Sequence, residues 1–156
     1  MVVQEPQDDI MFALRANLTD YNSSNRIGTH WIYVDLPRVK DLKLNSYPRI
    51  GIQSSEIGEV AGTYGDDLVN HVTFFITIAS KKGLIGTNAQ EGQQLVDTIG
   101  RDIISYLRQN WKSSDTLRSK FMSFAVDGYR QLPYDEDFRV FRREMEITAI
   151  YFNAGE

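Results

Sequence analysis

Asn70-His71-Val72-Thr73-Phe74-Phe75-Ile76-Thr77-Ile78-Ala79-Ser80 is the stretch from which the fold is read. Val72, Phe74, Ile76 and Ile78 fall on one side of a two-residue repeat, and Thr73, Phe75, Thr77 and Ala79 on the other. That repeat, in β-branched and aromatic residues, is the signature of a β-strand. One side is uniformly apolar and the other mixed, which predicts a sheet covered on one face and partly covered on the other.

Lys81-Lys82-Gly83 then opens a turn, and the period changes. Leu95, Val96, Ile99, Ile103, Ile104, Tyr106, Leu107 and Trp111 recur at helical spacing, which predicts a long helix from Ala89 to Trp111. Asn88 is the expected N-cap, with Glu91 three residues on as a variant capping box. Gly100 inside this helix costs up to ~1 kcal/mol against alanine, so close packing on the sheet is expected there. Beyond Ser113-Ser114-Asp115, Phe121–Leu132 is β-rich, with an Asp127-Gly128 pair that marks a bulge or a turn. Arg139–Phe152 alternates: Met145, Ile147, Ala149 and Tyr151 on one face; Arg142, Glu144, Glu146 and Thr148 on the other. The polar face is expected to meet solvent or a polar partner.

Toward the N-terminus, Ile10, Met11, Leu14, Leu18 and Tyr21 form one stripe of a helix over Asp8–Tyr21, with Asp8 and Asp9 suiting its first-turn dipole. Trp31-Ile32-Tyr33-Val34 reads as a strand within Thr29–Leu36, stopped by Pro37. A second short strand, Arg49–Ile52, follows Pro48. Gln53–Asp67, with Gly58, Gly62 and Gly65, reads as a long, mobile hairpin connection. The order is helix, three strands, long helix, two strands. It predicts an α+β fold: a single, mainly antiparallel sheet packed against a long helix, with an N-terminal helix.

The chain has 156 residues, which suits one domain over 1–156. Hydrophobic residues make up 42% and charged residues 24%, which excludes a disordered chain, a collagen-like repeat and a membrane bundle. With no cysteine there is no disulfide framework, thiolate nucleophile or cysteine zinc site. His30 and His71 are the only histidines, too few for a histidine metal cluster. The net charge of −4 argues against a general nucleic-acid grip or attraction to a membrane surface. Met1–Pro6 has neither a basic start nor an apolar run of the secretory type, and no apolar stretch approaches the ~18 residues of a spanning helix.

Catalytic motifs are nearly absent: there is no G-x-S-x-G elbow, phosphate loop or H-E-x-x-H. Gly51, Gly58, Gly62 and Gly65 lack the spacing of a dinucleotide fingerprint. Glu144 and Glu146 project from one strand face, either toward a shared cation or into cross-strand ion pairs, with Arg142 and Arg143 beside them. Asp66-Asp67 and Asp135-Glu136-Asp137 are further acidic groups without ligand spacing. Aromatic residues reach 12%, plentiful for a chain lacking an evident ligand motif; many are expected in the core, while Tyr and Trp also anchor protein–protein contacts. Tyr21–Thr29, Arg38–Tyr47 and Gln53–Asp67 are long connections suited to reaching a neighbouring subunit.

Taken in order, the helix at Asp8–Tyr21, the strand Arg49–Ile52 with its long loop, the strand His71–Ser80, the helix Ala89–Trp111 and the closing strand Glu144–Phe152 resemble the tail terminator (tail completion) proteins of long-tailed phages and related viruses. The resemblance covers nearly the whole chain, its length and lack of cysteine included. It is one of pattern, with segments such as Tyr47-Pro48-Arg49-Ile50-Gly51-Ile52 and Met145-Glu146-Ile147-Thr148-Ala149. That family has no invariant functional motif, so no catalytic, cofactor-binding or metal-binding residue is carried over.

The resemblance implies a structural, non-enzymatic virion protein without a cofactor. Such proteins form a ring, commonly of six subunits, that caps the tail tube, ends its polymerisation and offers the head-joining surface. The implied partners are further copies of the chain, the tail tube protein and the head–neck connector protein. DNA only passes through the channel, and no membrane is involved. The implied location is the neck of the virion, after synthesis in the host cytoplasm. A ring contact needs two different patches on each subunit. Ile57, Val60 and Tyr64 would anchor one, and Arg142, Glu144 and Glu146 would give the other its polar complement. The alternatives are another neck or head–tail connector subunit and, in a different class, a metal-dependent nuclease-like enzyme using the surface carboxylates.

Overall fold

Two-residue periodicity places Val69–Lys81 (β3) at the centre of a five-stranded sheet in a computed structural model of the chain, which describes residues 6–27, 30–34, 43–59 and 69–152. β3 pairs antiparallel with β2 (Arg49–Glu59) on one side and with β5 (Val140–Phe152) on the other. β4 (Phe121–Gln131) lies antiparallel beyond β5, and β1 (Ile32–Tyr33) runs parallel to β2. The order β1-β2-β3-β5-β4 makes the sheet mixed but mainly antiparallel, as expected for an α+β fold.

One helical layer covers one face. α2 (Gly92–Ser105) packs across β3 and β5, widens into a π turn at Tyr106–Asn110 and tightens into a 3-10 turn at Trp111–Ser113. α1 (Pro6–Asn17) packs against β1, β2 and the short α3 (Asp115–Lys120). Beneath this layer Val72, Phe74, Ile76 and Ile78 are fully buried with Met145, Ile147 and Ala149, so both alternations point their apolar sides toward the helices. Both tryptophans are buried. Trp111 meets Phe124 edge-on at 5.1 Å, and Phe121 stacks on Phe124 at 4.8 Å, so much of the aromatic content goes into the core.

Several boundaries differ from the sequence reading. The strand expected over Thr29–Leu36 pairs only at Ile32–Tyr33; residues 28–29 and 35–42 lie outside the described part. The connection expected at Gln53–Asp67 is strand as far as Glu59: Gln53 stands opposite Phe75 and Ile57 opposite Val72, across a bulge between Ser54 and Ile57. The ladder offered by β3 outweighs the weak local β-propensity of Ser54, Ser55 and Gly58. Residues 60–68, and with them Val60 and Tyr64, lie outside the described residues.

The long helix begins at Gly92 with Glu91 as its N-cap, not at Ala89. Asn88 instead accepts from the Gln90 N–H at 3.2 Å in a turn, and Ala89 takes a positive φ of 65° that no helix uses. The N-terminal helix ends at Asn17, although Leu18 and Tyr21 still pack on the core. After Ser113, Ser114 caps a six-residue helix that its length hid from periodicity, accepting from Leu117 N–H at 3.3 Å. β3 does not pair with β4: α2 carries the chain past the β5 position to the far edge, and β5 returns between them.

The described parts of the first two connections are stitched to the body. Asn22 donates to Tyr47 O at 3.0 Å, and Arg26 holds Asp20 at 2.7 Å while donating to Ser46 O at 3.1 Å. The described parts of those segments are therefore tied to the body of the subunit, although the buried Tyr47 hydroxyl has no hydrogen-bond partner among the described residues.

Burial also sets an alkaline limit on stability. The half-buried Tyr21 phenol donates to Asp102 Oδ2 at 2.7 Å, and partial desolvation together with that carboxylate pushes it up to about 12. Burial raises Tyr47, Tyr106 and Tyr129 as well, the last despite the Arg143 guanidinium beside it. In an unfolded chain these phenols ionise near ~10. The stabilisation is therefore complete below pH ~10 and is lost as pH rises through the higher folded values. In alkaline titration followed by phenolate absorbance, the eight tyrosines should divide into an early class and a late class that ionises as the chain unfolds. A single transition near pH 10, with an unchanged urea midpoint up to pH 12, would contradict this.

Candidate functional site

Because side chains alternate across a strand, the face of the sheet opposite the helices is also dictated by parity. Thr73, Phe75 and Thr77 of β3 point there, with Gln53 of β2, Tyr33 of β1 and Arg142, Glu144, Glu146 and Thr148 of β5. From β4 come Ala125 opposite Thr148, Gly128 opposite Glu146 and Arg130 opposite Glu144. Among the described residues no helix lies on this face.

Arg142, Glu144 and Glu146 therefore share a face, as their spacing predicts. Glu144 is held by Arg130 of the neighbouring strand at 2.7 Å. Glu144 thus takes part in a cross-strand ion pair. Glu146 is exposed one row along, and Arg142 donates to Pro133 O at 3.2 Å. No group of three or more His, Asp or Glu among the described residues is placed to hold a metal ion. Arg143, adjacent in sequence, turns to the helix side. It binds Asp97 of α2 at 2.8 Å and lies 4.0 Å over the Tyr129 ring.

The Asp127-Gly128 pair is a bulge, with the register shifting between Val126 and Gly128. The Thr148 hydroxyl donates to the Asp127 carboxylate and ties the bulge to β5. Missing a side chain at Gly128 leaves a hollow of about 170 Å³ lined by Phe75, Gly128, Tyr129, Arg130, Glu144 and Glu146. That is smaller than the ~300–1,000 Å³ of small-molecule sites. It is a dimple of a size to take one side chain.

At the other end of this face Arg49 is buried and stacks 4.3 Å over the Tyr33 ring. Burial lowers its proton affinity, and the Tyr33 ring partly offsets that loss. His71 and His30 are both exposed; His71 stands opposite Gly58 and Ile150, and the His30 carbonyl accepts from the Tyr33 hydroxyl at 2.7 Å.

Arg130 and Phe75 belong to this surface but did not stand out in the sequence. Arg130 reaches Glu144 only because the bulge resets parity between Val126 and Gly128, and a bulge's position is settled by pairing rather than by local composition. Ile57 sits on β2, in the same sheet as Glu144 and Glu146, while Val60 and Tyr64, expected to act with it, lie outside the described residues. Chemically, the arrangement offers hydrogen-bonding and van der Waals contact to another folded surface. No nucleophile–base pair is assembled among the residues of this face. No helix among the described residues is long and apolar enough to cross a membrane. No known protein family matches the chain, and no curated protein is significantly similar to it, so the functional reading rests on its sequence pattern and on this geometry.

Proposed function

We propose that this protein is a structural virion subunit of the tail-terminator type, forming a homo-oligomeric ring, a hexamer, that caps the tail tube. The ring ends tube polymerisation and presents the surface to which the head joins, through a head–neck connector protein. The observation that carries the reading is the two-sidedness of the subunit. Helices cover one face of the sheet, while the other bears Thr73, Phe75, Thr77 and Glu146 together with the Arg130–Glu144 ion pair. A contact between two different patches of the subunit is head to tail, and such contacts close into a ring when the rotation divides a full turn.

The pre-formed Arg130–Glu144 pair favours register over affinity, since exposed ion pairs contribute only ~0–1 kcal/mol. Weak subunit contacts of this kind become effective when the end of the tube holds several copies together. The net charge of −4 suits a channel wall that does not grip passing DNA. Neither a cofactor nor a catalytic step belongs to this role. Cryo-electron microscopy of the intact particle tests it. The expected density is a ring of this fold between tail tube and head; a neck without this chain would overturn the proposal.

A further inference from the structure

A β-sheet ends in edges whose backbone groups lack a strand partner, and among the described residues this sheet leaves two such edges without a neighbouring strand. β1 pairs with β2 only at Ile50 and Gly51, so the outer edge of β2 from Ile52 to Glu59 has no strand beside it among the described residues. There the Ser54 N–H donates at 3.1 Å to the Gln7 side-chain oxygen, which stands where a neighbouring strand's carbonyl would be. The second open edge is β4, the last strand of the sheet. The Leu132 N–H donates to Arg142 O at 3.1 Å, and this sets the alternation of the ladder. The N–H and C=O of Gln131 and Tyr129 consequently point away from β5.

Natural edges are blunted by lysine, proline, inward charges or β-bulges, and the bulge between Ser54 and Ile57 divides the β2 edge into the runs Ile52–Ser54 and Ile57–Glu59. Neither Arg49–Glu59 nor Phe121–Gln131 contains a lysine or a proline. The bulges on β4 leave straight runs at Ser123–Val126 and Gly128–Gln131, and the Asp127 carboxylate is tied back to Thr148 rather than guarding the edge.

Strand direction decides how two copies can meet. Three antiparallel steps separate β2 from β4, so the two edge strands run in opposite directions. Placing β4 of one copy beside β2 of the next therefore continues the antiparallel alternation without a break. It uses different edges on the two copies, which is a head-to-tail contact.

The geometry points to intersubunit sheet extension: the outer edge of β4 pairs antiparallel with the Ile52–Glu59 edge of β2 in a second copy of this chain. This rests on the ring reading, and assigns the contact that builds the ring to backbone hydrogen bonding rather than to side-chain arms. The uncovered faces of successive copies then join into one continuous surface, with the Arg130–Glu144 pair in every subunit.

The full-length chain has no cysteine, so introduced thiols report cleanly. Gln53, Ser123, Ala125 and Arg130 are all exposed and lie on the uncovered face. Gln53→Cys is mixed with Ser123→Cys, Ala125→Cys or Arg130→Cys in turn, on purified tail tubes, under mild oxidation. At least one mixture should give a disulfide-linked dimer, while each variant alone gives none. In parallel, hydrogen exchange at Tyr129 and Gln131 should slow at least tenfold from free chain to ring. A ring that forms without any mixed cross-link and without slowing at these amides overturns the edge assignment and leaves the ring standing. Cross-linking of a single variant to itself also overturns it, because that requires like edges to meet. Absence of any ring, by mass measurement in solution and on the tubes, overturns the ring reading together with the edge contact.

Discussion

Replacing Ile103 with aspartate should abolish the folded state at ordinary temperatures. Ile103 is fully buried on α2, on the stripe with Leu95, Val96, Ile99 and Leu107 that faces the sheet. Truncating such a residue to alanine costs about 2–5 kcal/mol by lost transfer energy and the cavity left behind. An aspartate adds a carboxyl group with no partner in an apolar layer, a further penalty of roughly 2–7 kcal/mol. Domains of this kind are stable by only about 5–15 kcal/mol, so the combined loss consumes most or all of that margin. Circular dichroism should show no cooperative thermal transition. Arg101→Gln, an exposed change two residues away, should leave the transition within a few degrees of wild type. If Ile103→Asp melted like wild type, α2 would be presenting a different face to the sheet.

The stripe that makes this prediction sharp was legible in the sequence because it depends on local periodicity alone. The same holds for β3 and β5, whose alternation gives both the strand and the face that each side chain takes. Pairing is different. β2 reads as a loop after Ile52 because serines and glycines carry little β-preference, yet β3 supplies a ready ladder out to Glu59. The placing of β5 between β3 and β4 is a non-local fact that no window of sequence contains.

Helix ends failed for a chemical reason. Asn88 and Glu91 look like a capping pair, but Asn88 makes its own turn with Gln90 and the chain needs Gly92 at a positive φ of 59°. Above Gly92 lies the Phe141 ring, which would meet an added Cβ at 3.2 Å, so the helix start is set by packing as well as by capping. For the surface, the shared parity of Glu144 and Glu146 could be read directly. Their partner Arg130 could not, since it depends on where β4 inserts its extra residue.

Gly100 tests the close approach that its place in a helix implied, and substitution there should be the second most damaging change. Alanine is favoured over glycine in a helix interior by about 1 kcal/mol, so propensity alone predicts that Gly100→Ala stabilises. The neighbouring strand reverses the sign. A Cβ at Gly100 would overlap the Tyr129 hydroxyl oxygen and lie 2.7 Å from Cζ and 2.9 Å from Cε1. Two ring atoms and the hydroxyl oxygen fixed to them are involved, so no rotation of a flexible end relieves the overlap. The ring must leave, giving up its stack with the Arg143 guanidinium at 4.0 Å and its contact with the Asp97 carbonyl at 3.5 Å. Overpacking of this kind costs roughly 1–3 kcal/mol, so Gly100→Ala should destabilise by about 1 kcal/mol net and Gly100→Leu by about 3 kcal/mol. Tyr129→Ala removes the obstacle, and in that background Gly100→Ala should be neutral or stabilising. The double-mutant cycle should give a coupling of about 1 kcal/mol or more, read from urea midpoints at constant slope. Additive effects of the two substitutions would mean that α2 and β4 do not touch at Gly100.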